Sequence, residues 1–471
     1  MSEDIATIDL AEAAARIADG RVTSVALTQA CLARAQAWQA SRNCFIHIDA
    51  DAALAAAAER DRELKRGARR GPLHGIPLAH KDMFARTGKA ASGGSRILRD
   101  QVATTTATVL RRFDAAGAVE IGALNMSEFA AGPTGHNIHY GHCRNAFDPA
   151  HVAGGSSSGS AVSVAARAVF GALGSDTGAS IRLPATYNGV VGLKPTYGRV
   201  SRYGAMPRSW SLDHVGPLAR TARDCALLLQ AAAGHDPNDA TSSPKPVPDY
   251  AAGLDGQGLT GRTIGIADHG VTLDAEVAAA MEESARMLEK CGAKIRRVPL
   301  PDLTAAFRVG ETIIKSEAAA LHRQWLETRP QDYSNSVRFR IEGGLYLSAA
   351  DYIDALRLRG VMTETFIAET MADVDFLHLP ATPHVTPTVA ESDMEATDSE
   401  TLLTLFSRLT QFMRPFNFFG LPAVSVPCGF SSRGLPLAYQ LVGHPFAETA
   451  LLNAVDTYQR ATDFHRVAPK L

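Results

Sequence analysis

Beyond residue 70 the sequence alternates short apolar runs with helical patterns, and that alternation leaves few architectures open. Candidate strands fall at 76–79, 118–121, 190–193, 263–266, 294–298, 376–379, 423–426 and 439–442. Candidate helices lie between them, near 106–116, 158–169, 222–233, 274–290, 311–327, 349–371 and 448–459. Strands interleaved with helices predict an α/β protein built on one large sheet. The first 70 residues read as helices. Ser24 is a candidate N-cap, and Val25, Leu27, Cys31, Leu32 and Ala35 follow at helical spacing, with a second, alanine-rich helix predicted over 50–65. The stretch 235–261, rich in Pro, Asp, Ser and Gly, is either a domain linker or a long surface connection. Candidate strands keep the same style on both sides of it, so one domain over 1–471 is expected, with the helices of 1–70 packed on its core.

Composition removes several function classes. A net charge of −2 over 471 residues gives no global attraction to nucleic acid or an anionic membrane. No run approaches the roughly 18 apolar residues of a membrane-spanning helix, and residues 1–20 lack the basic start and apolar stretch of a signal peptide. Cys31, Cys44, Cys143, Cys225, Cys291 and Cys428 are scattered without a CxxC pair. That spacing argues against a zinc site or a disulfide framework and suits a reducing cytoplasm.

The richest stretch is 148–199. Gly154-Gly155-Ser156-Ser157-Ser158-Gly159-Ser160 runs into the apolar Ala161-Val162-Ser163-Val164, a glycine–serine loop feeding a helix N-terminus, where backbone N–H groups are left free. A second loop follows, Gly174-Ser175-Asp176-Thr177-Gly178-Ala179-Ser180. Its small residues let backbone donors approach a substrate carbonyl. Ordinary turns between strands would also produce such segments. A phosphate loop needs Gly-Lys followed by Ser or Thr, which is missing. A nucleophile elbow fits G-x-S-x-G around Ser157, but 151–153 is too short for the strand it requires, and His322, His384, His444 and His465 sit in no distinctive context. A third segment joins the two loops in another reading: Gly75-Ile76-Pro77-Leu78-Ala79-His80-Lys81-Asp82 ends an apolar run on a lysine. Burial there would favour the neutral amine, a base.

Together these three segments resemble the amidase signature family, whose hallmarks are G-[IV]-P-x-x-x-K-D, GGSS-[GS]-G-S and D-T-x-x-S-I-R-x-P-A, in that order. Similar blocks recur at Asn125-Met126-Ser127-Glu128-Phe129, at 189–196, at 213–217, at 420–423 and at 434–436. The likeness covers about 60–465 and weakens over about 235–370. It implies a mixed sheet covered by helices on both faces, with Ser180 as nucleophile, Ser156 as bridging serine after a cis peptide bond, and Lys81 as base. Thr177, Gly178 and Ala179 would supply the oxyanion hole, and no metal or organic cofactor is called for. Ala179 stands where many relatives have glycine; its methyl is tolerable at negative φ, so an altered pocket wall is expected.

Substrate identity is less constrained. The resemblance covers stand-alone hydrolases of small amides and also the ammonia-releasing component of a tRNA-dependent amidotransferase, which acts on glutamine. Residues 197–204 look like that component, whereas 316–352 look like stand-alone amidases. A cytoplasmic amidohydrolase is favoured, acting on a small amide, carbamate or urea-type compound, as a monomer or homodimer without nucleic-acid or membrane partners. A hetero-partner belongs only to the amidotransferase alternative. Met126, Phe129, Ala131 and Gly132 are candidate substrate contacts. Arg359 is another, because it lies in a predicted helix near where amidotransferase relatives hold a carboxylate. Trp210 either narrows the pocket or packs.

Overall fold

The N-terminal helices form where the pattern places them, over Leu10–Ala18, Ser24–Arg42 and Ala50–Lys65. Their structure comes from a computed structural model that describes residues 4–392 and 399–471. The second helix is capped one residue before the expected Ser24. Thr23 Oγ1 accepts from Ala26 N at 3.1 Å, which satisfies a first-turn amide. Ser24 Oγ instead donates to Gly75 O at 2.8 Å and ties the helix to the loop leading toward Lys81.

All eleven strands belong to one mixed sheet. They are β1 Phe45–Ile48, β2 Pro77–Lys81, β3 Val119–Leu124, β4 Gly171–Asp176, β5 Val191–Lys194, β6 His214–Ala219, β7 Thr263–Asp268, β8 Lys294–Pro299, β9 Phe376–Pro380, β10 Ala423–Phe430 and β11 Pro436–Gly443. Their order is β1-β3-β2-β4-β6-β5-β10-β11-β9-β7-β8. The pairs β3–β2, β2–β4, β7–β8 and β7–β9 are parallel, and the others are antiparallel. Helices cover both faces, so the central strands β2, β4, β5 and β11 are buried along their whole length, as strands between two helical layers must be.

Three strands depart from the sequence reading. β1 and β6 form where no strand is predicted, and Gly174–Asp176, expected in a loop, form the end of β4. A short helix over Arg182–Tyr187 is a further addition. The sheet continues across the segment 235–261, with β6 before it and β7 after it. No helix is long and apolar enough to cross a membrane, among the described residues.

Candidate active site

Lys81 is the last residue of β2, a strand with Leu78, Ala79 and His80 buried ahead of it. Its side chain is completely buried. The side-chain nitrogen reaches across to the neighbouring loops, lying 2.6 Å from Ser156 Oγ and 2.9 Å from Ser175 Oγ. Burial pulls its pKa down from the usual lysine value to about 7, against the pull of Asp176 and Asp213 and helped by Arg208. Near neutral pH a substantial fraction of Lys81 is therefore an uncharged amine, with a lone pair to accept a serine proton.

The glycine–serine loop reaches this point without a strand before it. Gly154 has φ +74°, and a Cβ on Gly155 would fall 2.5 Å from Gly132 O, so side chains are excluded at both positions. The peptide Gly155–Ser156 is cis. Ser158 then opens the helix Ser158–Ala165. Ser157 N donates to Ser180 O at 3.2 Å, holding the two serine loops together.

Ser180 follows β4 across a tight connection pinned by two buried carboxylates. Asp176 accepts from Ile181 N at 3.1 Å and from Arg182 Nε at 3.0 Å and Nη2 at 3.0 Å. Arg182, itself fully buried, also donates to Met413 O, Gln440 Oε1 and Asn417 Oδ1. Despite burial, the arginine beside it holds Asp176 well below the usual carboxylate range. On the other side Thr177 Oγ1 donates to Asp213 Oδ1 at 2.6 Å. Ser180 is left half-buried in the wall of a small cavity of about 30 Å³, with Thr177, Gly178, Ala179, Ala131, Gly132 and Gly155 around it.

Ala179 does not have the negative φ that the sequence reading asks for. Its φ is 158°, at the border of extended backbone, and it is buried in an apolar cluster that includes Leu183, Tyr187 and Phe406. Ala179 is thus part of the cavity wall.

Of the other expected contacts, Ala131 and Gly132 line the cavity. Phe129 is buried among His322, Trp325 and Tyr333, with ring centroids 4.4, 5.8 and 5.4 Å away. Met126 is fully buried, and its carbonyl accepts from Asn137 Nδ2 at 2.8 Å. Neither residue is in the cavity wall. Arg359 is spent on backbone carbonyls, donating to Phe418 O at 2.6 Å and Ser211 O at 2.7 Å, with Tyr197 beneath it. Trp210 is an exposed residue whose carbonyl accepts from Tyr197 Oη. Sequence reasoning does not single out Ser175, the second partner of Lys81, nor the three arginines of the cavity, Arg208, Arg340 and Arg414. No motif announces those arginines, because they come from three distant segments. Among the described residues no group of His, Cys, Asp and Glu is arranged to hold a metal ion.

A family model described as Amidase matches residues 26–452. The chain belongs to this amidase family. Among curated relatives, the glutamyl-tRNA(Gln) amidotransferase A chain of Chloroflexus aurantiacus is 40% identical, over 99% of this chain and 98% of its own length. A solved structure from a vestigial protein complex, described as revealing the origins of an s-triazine catabolic enzyme, superposes with a TM-score of 0.89. It is 33% identical over 98% of this chain and 99% of that one. The corresponding amidotransferase chain of Thermotoga maritima superposes with a TM-score of 0.79 at 31% identity, covering 95% of this chain and 94% of that one. Amidase-family membership makes the chain an enzyme of C–N bond chemistry.

Proposed function

We propose that this amidase hydrolyses a small amide, carbamate or urea-type compound through an acyl-enzyme. The observation that carries the reading is Lys81: fully buried, 2.6 Å from Ser156, and with a pKa brought down to about 7 by its surroundings. In the proposed cycle neutral Lys81 accepts the Ser156 hydroxyl proton as Ser156 takes the proton of Ser180. Ser180 Oγ bonds to the substrate carbonyl carbon, and the carbonyl π pair moves onto oxygen. Backbone N–H groups of Thr177, Gly178, Ala179 and Ser180 stabilise that oxyanion; one such donor is typically worth about 3 kcal/mol. Collapse breaks the C–N bond, and Ser156 returns a proton to the leaving nitrogen. Water, deprotonated through the same relay, then releases the acid and restores Ser180.

A second reading is the ammonia-releasing component of a tRNA-dependent amidotransferase. The names of the curated relatives favour it over the first, at 40% identity across nearly the whole chain. Partner chains would follow from it. Against it stands Arg359, whose guanidinium is occupied by two carbonyls and does not line the cavity. A peptide amidase, 32% identical and superposing with a TM-score of 0.86 against 0.79 for the Thermotoga maritima amidotransferase chain, also favours a free hydrolase. Unpaired thiols at all six cysteines suit a cytoplasmic location.

The test is labelling with a fluorophosphonate probe, followed by turnover of primary amides, anilides, carbamates and glutamine. Label on Ser180, with turnover lost in Ser180→Ala and Lys81→Ala, is the expected result. Full activity in Ser180→Ala would sink the assignment. Ammonia release from glutamine alone, with a partner chain co-purifying, would select the second reading.

A further inference from the structure

The cavity at Ser180 is lined by Arg208, Arg340 and Arg414 and by no carboxylate. The same three residues, with Ile314, also line an adjoining cavity of about 370 Å³, whose wall includes the exposed Phe339 and Tyr346. Lys315, Glu311 and Glu342 add to that second wall. Both carboxylates there are engaged. Glu311 is bonded to Arg414 and lies 3.6 Å from Lys315, and Glu342 lies 3.5 Å from Arg338. A cationic surface thus runs from the outer chamber to the nucleophile.

These guanidinium groups have little to satisfy them. Arg414 pairs with Glu311 and lies over the Phe307 ring at 4.4 Å, yet its Nε is buried without a partner. Arg340 donates to Ala131 O and lies over the Phe406 ring at 4.7 Å. Arg208 is the extreme case. It is 9% exposed, and among the described residues its side chain makes no hydrogen bond or ion pair, with Nη1 fully buried. Burial, then repulsion from Arg414, pulls its pKa down to about 10 against the attraction of Glu311 and Asp213, and burial with Arg208 beside it brings Arg340 to about 9 against the attraction of Glu311. An unpaired buried cation is strongly destabilising unless something supplies the opposite charge. Guanidinium forks match carboxylates in shape as well as charge.

We propose that Arg208, Arg340 and Arg414 form an anion subsite beside Ser180, and that the amide cleaved here carries a carboxylate. The inference rests on the hydrolase reading and names its substrate class. The carboxylate enters through the larger chamber, pairs with Arg208 and directs the amide carbonyl toward Ser180. Hydrolysis leaves a dianionic acid where the carboxylate is on the acyl side, so product release separates two negative charges from the arginines. Neutral amides of the same length lack this anchor.

The experiment compares malonamate and succinamate with propionamide and butyramide as substrates, glutamine included. At least one anionic amide is expected to exceed its neutral counterpart in kcat/KM tenfold or more, and Arg208→Gln to reduce that ratio at least tenfold, mainly through KM. Independently of turnover, malonate and succinate are titrated calorimetrically into Ser180→Ala and into Ser180→Ala/Arg208→Gln. Binding to the first at least tenfold tighter than to the second supports the subsite. Equal rates on charged and neutral amides, an unchanged ratio in Arg208→Gln, or no dicarboxylate binding overturns it. Dicarboxylate binding without probe labelling or amide turnover leaves the subsite standing and removes the hydrolase reading. Preference for glutamine above the other amides supports the subsite and moves the function to the amidotransferase reading.

Discussion

Lys81 behaves in the fold very differently from a free lysine. With a pKa near 7 in the fold and about 10.4 in an unfolded chain, it sheds its proton on folding across that window. Activity carried by the neutral amine is expected to climb as pH rises through about 7 and to level off above it, read as kcat/KM against pH. An activity that falls over the same range would contradict the assignment. Stability follows the same group with a definite sign. Between pH 7 and 10 the unfolded chain binds more protons than the fold, so stability contributed at this site increases with pH. Below 7 the fold holds a buried charge and bears its full cost. Lys81→Met is therefore expected to be more stable than the parent at pH 6, by a few kcal/mol, with the advantage shrinking toward pH 10. Urea denaturation at the two pH values measures it. The sequence could point to this lysine through its motif, since the strand before it and the K-D pair are local. Its burial depends on helices and loops from other segments, and no local pattern encodes that. The same limit hides Ser175, which reads as one more loop serine until β4 places its hydroxyl 2.9 Å from Lys81.

At the scale of elements, β4 and the helix Arg182–Tyr187 hold Ser180, the proposed nucleophile, between them, and the strand is illegible in sequence for a physical reason. Its residues, Gly171-Ala172-Leu173-Gly174-Ser175-Asp176, carry almost none of the branched and aromatic bulk that marks a strand. The close approach of its neighbours demands that: a Cβ at Gly174 would fall 2.8 Å from Ser157 Oγ, and one at Gly171 2.5 Å from Leu228. β6 is disguised similarly by Gly216 and Pro217. Pro217 is tolerated because β5 pairs only with Leu218 and Ala219, so its missing amide costs no bond on that side. Strands such as β7, Thr-Ile-Gly-Ile-Ala-Asp, and β9, Phe-Leu-His-Leu-Pro, keep large apolar residues and are readable. The connection from β4 to the helix depends on the Asp176–Arg182 pair, wholly removed from water. Arg182→Met would strand the Asp176 carboxylate and is expected to cost about 3–5 kcal/mol. The double variant Asp176→Asn/Arg182→Met should lose less than the two single losses added together, because neither charge is then left alone. Guanidinium denaturation of the four proteins gives the coupling; strict additivity would show that the pair is not the element's clamp.

Within the sheet, the two halves of the chain join at a short seam. Strands β1 to β6 precede the segment 235–261, β7 to β11 follow it, and the halves meet where Gly192, Leu193 and Lys194 of β5 pair with Ser425, Val424 and Ala423 of β10. Lys81, Ser156 and Ser180 all lie in the first half, which would be enough if the relay needed nothing but its own three side chains. The contacts that fix the Ser180 loop contradict this, since Arg182 reaches Met413, Asn417 and Gln440, all in the second half. Arg414 and Arg340 come from there too. Cutting between the exposed residues Asp255 and Gly256 separates the halves outside any strand. A fragment of residues 1–255 is expected to be inactive and unlabelled by the serine probe, despite containing the whole relay. It would expose the edge of β5 and leave Arg182 with most of its partners gone, conditions that favour association over folding. Co-expression with residues 256–471 should restore probe labelling, because the seam and the arginine network rebuild together. Labelling of the first fragment alone would show that the relay is assembled by its own half and that the second half serves only to bind substrate.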